Sequence, residues 1–106
     1  NEVGAAGSTG LGEANISNLG SFLVVECMAQ GMSPEQACLK ALERTAAKMK
    51  LTPAFADAKG RPNFGLNFYA LNKKGEFGSA AFTKGARFAV HDGAKNALRE
   101  AAWLYP

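Results

Sequence analysis

The clearest periodicity in the chain lies between Phe64 and Leu71, where Phe64, Leu66, Phe68 and Ala70 alternate with Gly65, Asn67, Tyr69 and Leu71. Alternation at period two gives a β-strand one strongly apolar face. Asn72-Lys73-Lys74-Gly75 makes a turn, and Glu76 to Thr83 returns as the antiparallel partner. Lys84-Gly85 turns again before Arg87 to His91, so a three-strand meander is the simplest construction. Upstream, Ile16, Leu19, Phe22, Leu23, Val25, Cys27 and Met28 cover more than one stripe. They predict one helix of roughly 18 residues from Gly12 to Gln30, buried on more than one side and closed by an αL cap at Gly31. Ser33-Pro34-Glu35-Gln36 is a strong second start, with Ser at the N-cap, Pro at the first helical position and Gln completing a capping box. That helix runs to about Met49. Cys38, Leu42, Thr45 and Met49, with Leu39 and Ala46, form its dry face, and Lys40, Glu43, Arg44 and Lys48 its wet one.

Val3 to Ser8 is nearly all small residues and reads as a crowded central strand. Lys50 to Asn63, with Pro53, Gly60 and Pro62, reads as a surface loop. After Asp92-Gly93, Ala94 to Tyr105 carries helix formers with Trp103 and Leu104 as anchors, so a terminal helix is expected. The pattern as a whole predicts an α+β fold in which two helices cover an antiparallel sheet.

At 106 residues the chain is a single segment, one domain or part of one. Phe64, Leu66 and Phe68 are expected to need a second layer supplied by companion chains. A net charge of +3 comes from basic residues scattered along the chain, which argues against a nucleic-acid surface. The longest apolar run, Phe22-Leu23-Val24-Val25, is far too short to cross a bilayer. Cys27 and Cys38 lack Cys-x-x-Cys spacing and a nearby His, and read as buried free thiols; a bridge between them stays open.

Chemistry points to Gly7-Ser8-Thr9-Gly10-Leu11-Gly12-Glu13, the junction of the first strand and first helix. A helix start has unpartnered N–H groups and partial positive charge. Gly10 and Gly12 have no side chain to hold off a carboxylate or developing oxyanion, and the Thr9 hydroxyl could donate a further bond. An ordinary capped strand-to-helix turn would use the same residue types. Asn15 stands where a dinucleotide fingerprint needs its third glycine, and no Gly-Lys-Ser or Gly-Lys-Thr marks a P-loop. His91 and Asp92 are adjacent on an expected strand end and point to opposite faces, which favours a structural or exposed histidine. Asp57, Glu76 and Asp92 have no paired spacing for a metal or a two-carboxylate mechanism, so neither metal nor cofactor is expected.

Residues 1–13, Phe22-Leu23-Val24-Val25-Glu26 and Gly31-Met32-Ser33-Pro34-Glu35-Gln36-Ala37-Cys38 resemble the glycosylasparaginase (aspartylglucosaminidase) family. Ala70-Leu71-Asn72-Lys73-Lys74-Gly75-Glu76-Phe77-Gly78 and Phe88-Ala89-Val90-His91-Asp92 extend the likeness, which covers residues 1 to about 92. The resemblance implies an N-terminal-nucleophile (Ntn) hydrolase, a four-layer αββα sandwich whose precursor cleaves itself to expose a nucleophilic threonine. It assigns an oxyanion hole to Thr9 and Gly10 and substrate binding to Thr9, Gly10, Leu11 and Gly12. Hydrolysis of the N-acetylglucosamine–asparagine amide is the implied activity. Isoaspartyl peptidase or L-asparaginase activity, or a non-catalytic small-anion binding module, are the alternatives.

Asn1 is no such nucleophile, and the family's nucleophilic threonine and substrate-clamping Arg and Asp lie upstream of the matched region. The chain therefore resembles the C-terminal portion of a β chain, expected to be inactive alone. Its implied partners are the α chain and the remaining β segment of one precursor, in an (αβ)2 assembly, with neither nucleic acid nor membrane. Bacterial members imply a periplasmic or secreted location, eukaryotic ones a lysosomal location.

Overall fold

The computed structural model describes residues 2–106. In chain order its elements are β1 (Gly4–Gly10), α1 (Gly12–Ile16), α2 (Gly20–Ala29), α3 (Pro34–Met49), β2 (Leu66–Asn72), β3 (Phe77–Thr83), β4 (Arg87–His91), β5 (Asn96–Glu100) and β6 (Ala102–Tyr105). A four-stranded sheet runs in the order β1-β2-β3-β6, antiparallel except for the parallel β3–β6 pair. Helices α2 and α3 pack on one face of it. The fold is α+β, one helical layer on one sheet layer, compatible with the Ntn hydrolase architecture.

Alternation in β2 sorts its side chains as expected: Leu66, Phe68 and Ala70 are buried in the core with Val24, Cys38, Ala41 and Leu42. Leu66 and Phe68 thus need no companion layer, because the chain's own helices cover them. It is Leu71 and Phe77, at opposed positions on the other face, that stay substantially exposed. The second helix begins where the capping box puts it: the Ser33 hydroxyl accepts the Gln36 N–H, and the Gln36 side chain accepts the Ser33 N–H, both at 3.2 Å. Gly31, at φ 99°, closes α2 as expected. Its N–H donates to Met28 C=O and that of Met32 to Cys27 C=O, the paired bonds of a Schellman motif.

The expected helix from Gly12 to Gln30 is two helices. Ser17 Oγ and Asn18 Nδ2 donate back to Ala14 C=O, competing with the backbone ladder. Leu19 then takes φ 50°, and Gly20 restarts the helix hard against β2, where a Cβ would lie 2.4 Å from the Phe68 ring. The break leaves Ile16, Leu19 and Phe22 exposed instead of burying them on several sides.

Two further expectations fail in the tail. Ala94 to Tyr105 contains no helix: β6 pairs with the open edge of β3, and β5 pairs with β4. β4 consequently leaves the meander and forms a separate two-stranded sheet, with Phe88 set edge-on to Phe77 and the Arg99 guanidinium 5.3 Å from the Phe77 ring centre. Ladder pairing along a free strand edge outweighs helix propensities worth only tenths of a kcal/mol per residue. Among the described residues, no helix is long and apolar enough to cross a membrane. Cys27 and Cys38 are both buried and free; burial, with help from the Glu35 carboxylate, pushes the Cys38 thiol up to about 12.

Candidate functional site

β1 carries the stretch singled out above to one edge of the sheet. Within the β1–β2 ladder, Leu11 N–H donates to Gly65 C=O at 3.0 Å and Lys73 N–H to Val3 C=O at 3.1 Å, so odd-numbered residues of the strand occupy the paired positions. Antiparallel alternation then turns the N–H groups of Gly4, Ala6, Ser8 and Gly10 away from β2. Among the described residues no strand pairs with that side of β1. The last of these donors, Gly10 N–H, follows the exposed Thr9 directly.

Thr9 stands on the sheet face opposite the helices, its hydroxyl hydrogen-bonded to the phenol of Tyr69. Gly10 has φ 128°, and a Cβ there would lie 2.2 Å from Gly65 C=O and 2.7 Å from Leu66 Cα. Only glycine lets β1 run this close to the start of β2. Leu11 has its N–H committed to Gly65 and its C=O to Asn15 N–H, so its backbone holds the turn. Gly12 differs: among the described residues nothing approaches its Cβ position within 4 Å. On the helix side of the sheet Ser8 Oγ accepts from Asn15 Nδ2 at 2.6 Å, tying the strand end to α1.

The stretch was expected to lead into one long helix, but α1 is five residues and stops at Ile16. So short a helix adds little macrodipole, since the aligned peptide units are few. The donors offered at this corner are instead a strand-edge N–H and a hydroxyl, with open space above Gly12. Such donors are suited to a carboxylate or to an oxygen gaining negative charge.

His91 plays no part in it. Its Nδ1 accepts the N–H of Gly93 at 3.0 Å, so the exposed ring serves the β4–β5 turn, in line with the structural reading. Asp92 accepts the N–H groups of Ala94 and Lys95, and those bonds hold its carboxyl below the usual range. Asp57 is lowered likewise, foremost by the Arg61 N–H. Among the described residues, no three His, Cys, Asp or Glu side chains gather closely enough to hold a metal ion. A mostly apolar groove of about 350 Å³ runs under β4, lined by Ala5, Gly7, Tyr69, Phe77, Val90 and His91, and its ionisable lining side chains are His91 and the Tyr69 phenol. Tyr69 is the residue that sequence reasoning missed: alternation puts it opposite Phe68, but its reach to Thr9 follows from the β1–β2 register.

The sequence profile of the asparaginase family matches residues 1–98. N(4)-(Beta-N-acetylglucosaminyl)-L-asparaginase of Elizabethkingia miricola is 44% identical over 98 residues, which are 92% of this chain and 27% of that protein. The probable isoaspartyl peptidase/L-asparaginase 3 of Arabidopsis thaliana is 35% identical over 81 residues, 76% of this chain and 19% of that protein. This chain belongs to the asparaginase family, within the Ntn hydrolases. It spans about a quarter or less of the length of these relatives.

Proposed function

We propose that the chain is part of an amidohydrolase that cleaves the bond between N-acetylglucosamine and the side-chain amide of asparagine. The observation that carries this is the Thr9 hydroxyl beside the Gly10 N–H, at the edge of β1 that no strand among the described residues pairs. In this reading a threonine hydroxyl from another segment of the protein attacks the amide carbonyl. The oxygen, now negatively charged, accepts from Thr9 and Gly10, and the α-carboxylate of the aspartyl group reaches the backbone near Gly12. The attacking hydroxyl gives its proton to its own α-amine, which passes it to the glycosylamine nitrogen as the C–N bond breaks, and water then hydrolyses the ester to release aspartate and restore the hydroxyl. Thr9 lies inside β1 with no free α-amine and is not the nucleophile.

The proposed assembly joins this segment to an α chain and to the rest of the β chain, two such αβ units together. The relative named N(4)-(Beta-N-acetylglucosaminyl)-L-asparaginase supports this substrate over the alternative, with 44% identity against 35% for the probable isoaspartyl peptidase/L-asparaginase 3. Assaying the assembled enzyme on glycosylasparagine, isoaspartyl dipeptides and asparagine separates the two: greatest kcat/KM on glycosylasparagine is expected, and a preference for isoaspartyl dipeptides overturns it. No turnover of any of them would leave an anion-binding module. Thr9→Ala should lower kcat about 10²–10³-fold, the usual cost of one oxyanion donor, while Thr9→Ser retains most turnover. Thr9→Ala with wild-type kcat refutes the oxyanion assignment.

A further inference from the structure

We infer that Tyr69 is a positioning residue for the Thr9 hydroxyl, setting the direction in which Thr9 donates; this rests on the oxyanion role proposed above. A threonine hydroxyl carries one hydrogen and two acceptor lone pairs, and its hydrogen rotates to suit its neighbours. An exposed donor of that kind spends part of its time pointing at water. The phenol of Tyr69 bonds Thr9 Oγ1. A phenolic O–H is the better donor of the two, so Tyr69 donates and Thr9 accepts. The Thr9 hydrogen is thereby turned away from Tyr69 and left for the substrate oxygen. Donors that need no reorientation as charge develops are the ones that accelerate the step.

The geometry that makes this contact belongs to the sheet. Gly7 is opposite Tyr69 in the β1–β2 register and Thr9 opposite Asn67, so Thr9 and Tyr69 are diagonal neighbours on one face. Diagonal partners are within reach only of long or aromatic side chains. The Tyr69 ring lies over Gly7, where a Cβ would sit 3.9 Å from Tyr69 Cδ2, an ordinary contact distance. β2 is flanked on both sides by paired strands, which fixes the Tyr69 backbone.

The test is a set of Tyr69→Phe substitutions in the assembled enzyme, made with Thr, Ser and Ala at position 9 and read as kcat and KM on glycosylasparagine alongside the melting temperature. Phe keeps the ring packed on Gly7 and removes only the hydroxyl. With Thr9 present, a loss of about 3- to 10-fold in kcat is expected, the range for one net hydrogen bond, with KM and melting temperature unchanged. With Thr9→Ser the loss should be larger, because the γ-methyl that restricts the rotamer is gone. With Thr9→Ala it should vanish. Equal losses in all three backgrounds, or a change confined to KM or to melting temperature, would overturn the positioning role. If Thr9→Ala is slow and Tyr69→Phe is wild-type, the inference fails while the oxyanion reading stands. If Thr9→Ala has wild-type kcat, both fail.

Discussion

Gly10 and Gly12 differ in what surrounds them, so one added methyl group should act oppositely at the two positions. At Gly12 nothing among the described residues comes within 4 Å of a Cβ, and the residue opens α1 with no positive φ. Gly12→Ala therefore meets no steric resistance from the fold. Reduced freedom in the unfolded chain and better helix propensity should leave stability unchanged or raise it by up to about 1 kcal/mol. At Gly10 the methyl lies 2.2 Å from a carbonyl oxygen and 2.7 Å from Leu66 Cα, both backbone atoms, at φ 128°. The strained conformation alone costs roughly 1–3 kcal/mol, and losing the adjacent Leu11–Gly65 bond about 1 kcal/mol more. A total of roughly 2–4 kcal/mol follows from those two costs together. Activity separates the variants differently. If substrate reaches the backbone at Gly12, the methyl displaces it by about an ångström, and a misplacement of that size can cost on the order of 10²-fold in kcat/KM. Melting curves and steady-state kinetics on both assembled variants read out both effects. Gly12→Ala with wild-type kcat/KM would remove the substrate-approach argument, and Gly10→Ala with wild-type melting would show that the strand end yields cheaply.

Phe68→Ala should cost roughly 3–5 kcal/mol, because Phe68 is fully buried and closes the core where Gly20 abuts β2; denaturant titration of the assembled protein checks it. Cys38, with its ionisation pushed from 9.0 to about 12, should resist alkylation in the native protein at pH 9.0 and label on unfolding. Native labelling at that pH would refute its burial. The lowered carboxyls of Asp57 and Asp92 contribute stability that is present above the ordinary Asp value of 3.8 and lost as pH falls through their depressed values. The protection factors of the Ala94 and Lys95 amides, corrected for intrinsic exchange, should therefore fall in that acidic window, and Asp92→Asn should remove that change in protection.

Local chemistry was enough for the features whose cause is local. The capping box at Ser33 and Gln36, the Gly31 cap and the turn from Asn72 to Gly75 each depend on residues a few positions apart, and alternation along β2 sorted Phe68 from Tyr69 without knowledge of the partners. The stretch from Thr9 to Gly12 was legible as a place of donors and absent side chains for the same reason. Tertiary structure decided the rest. The helix breaks at Leu19, a non-glycine residue at positive φ, where Ser17 and Asn18 turn back on Ala14 and Gly20 packs against Phe68, nearly fifty positions away in sequence. The tail became strands because β3 offered an edge, and β4 left the meander once β5 was there to pair with it. Even the Gly10 donor is turned outward by the β1–β2 register, and the Tyr69–Thr9 bond depends on the same register. Pairing partners are chosen by contacts between distant segments, whose energies exceed the small intrinsic preferences that a single sequence displays.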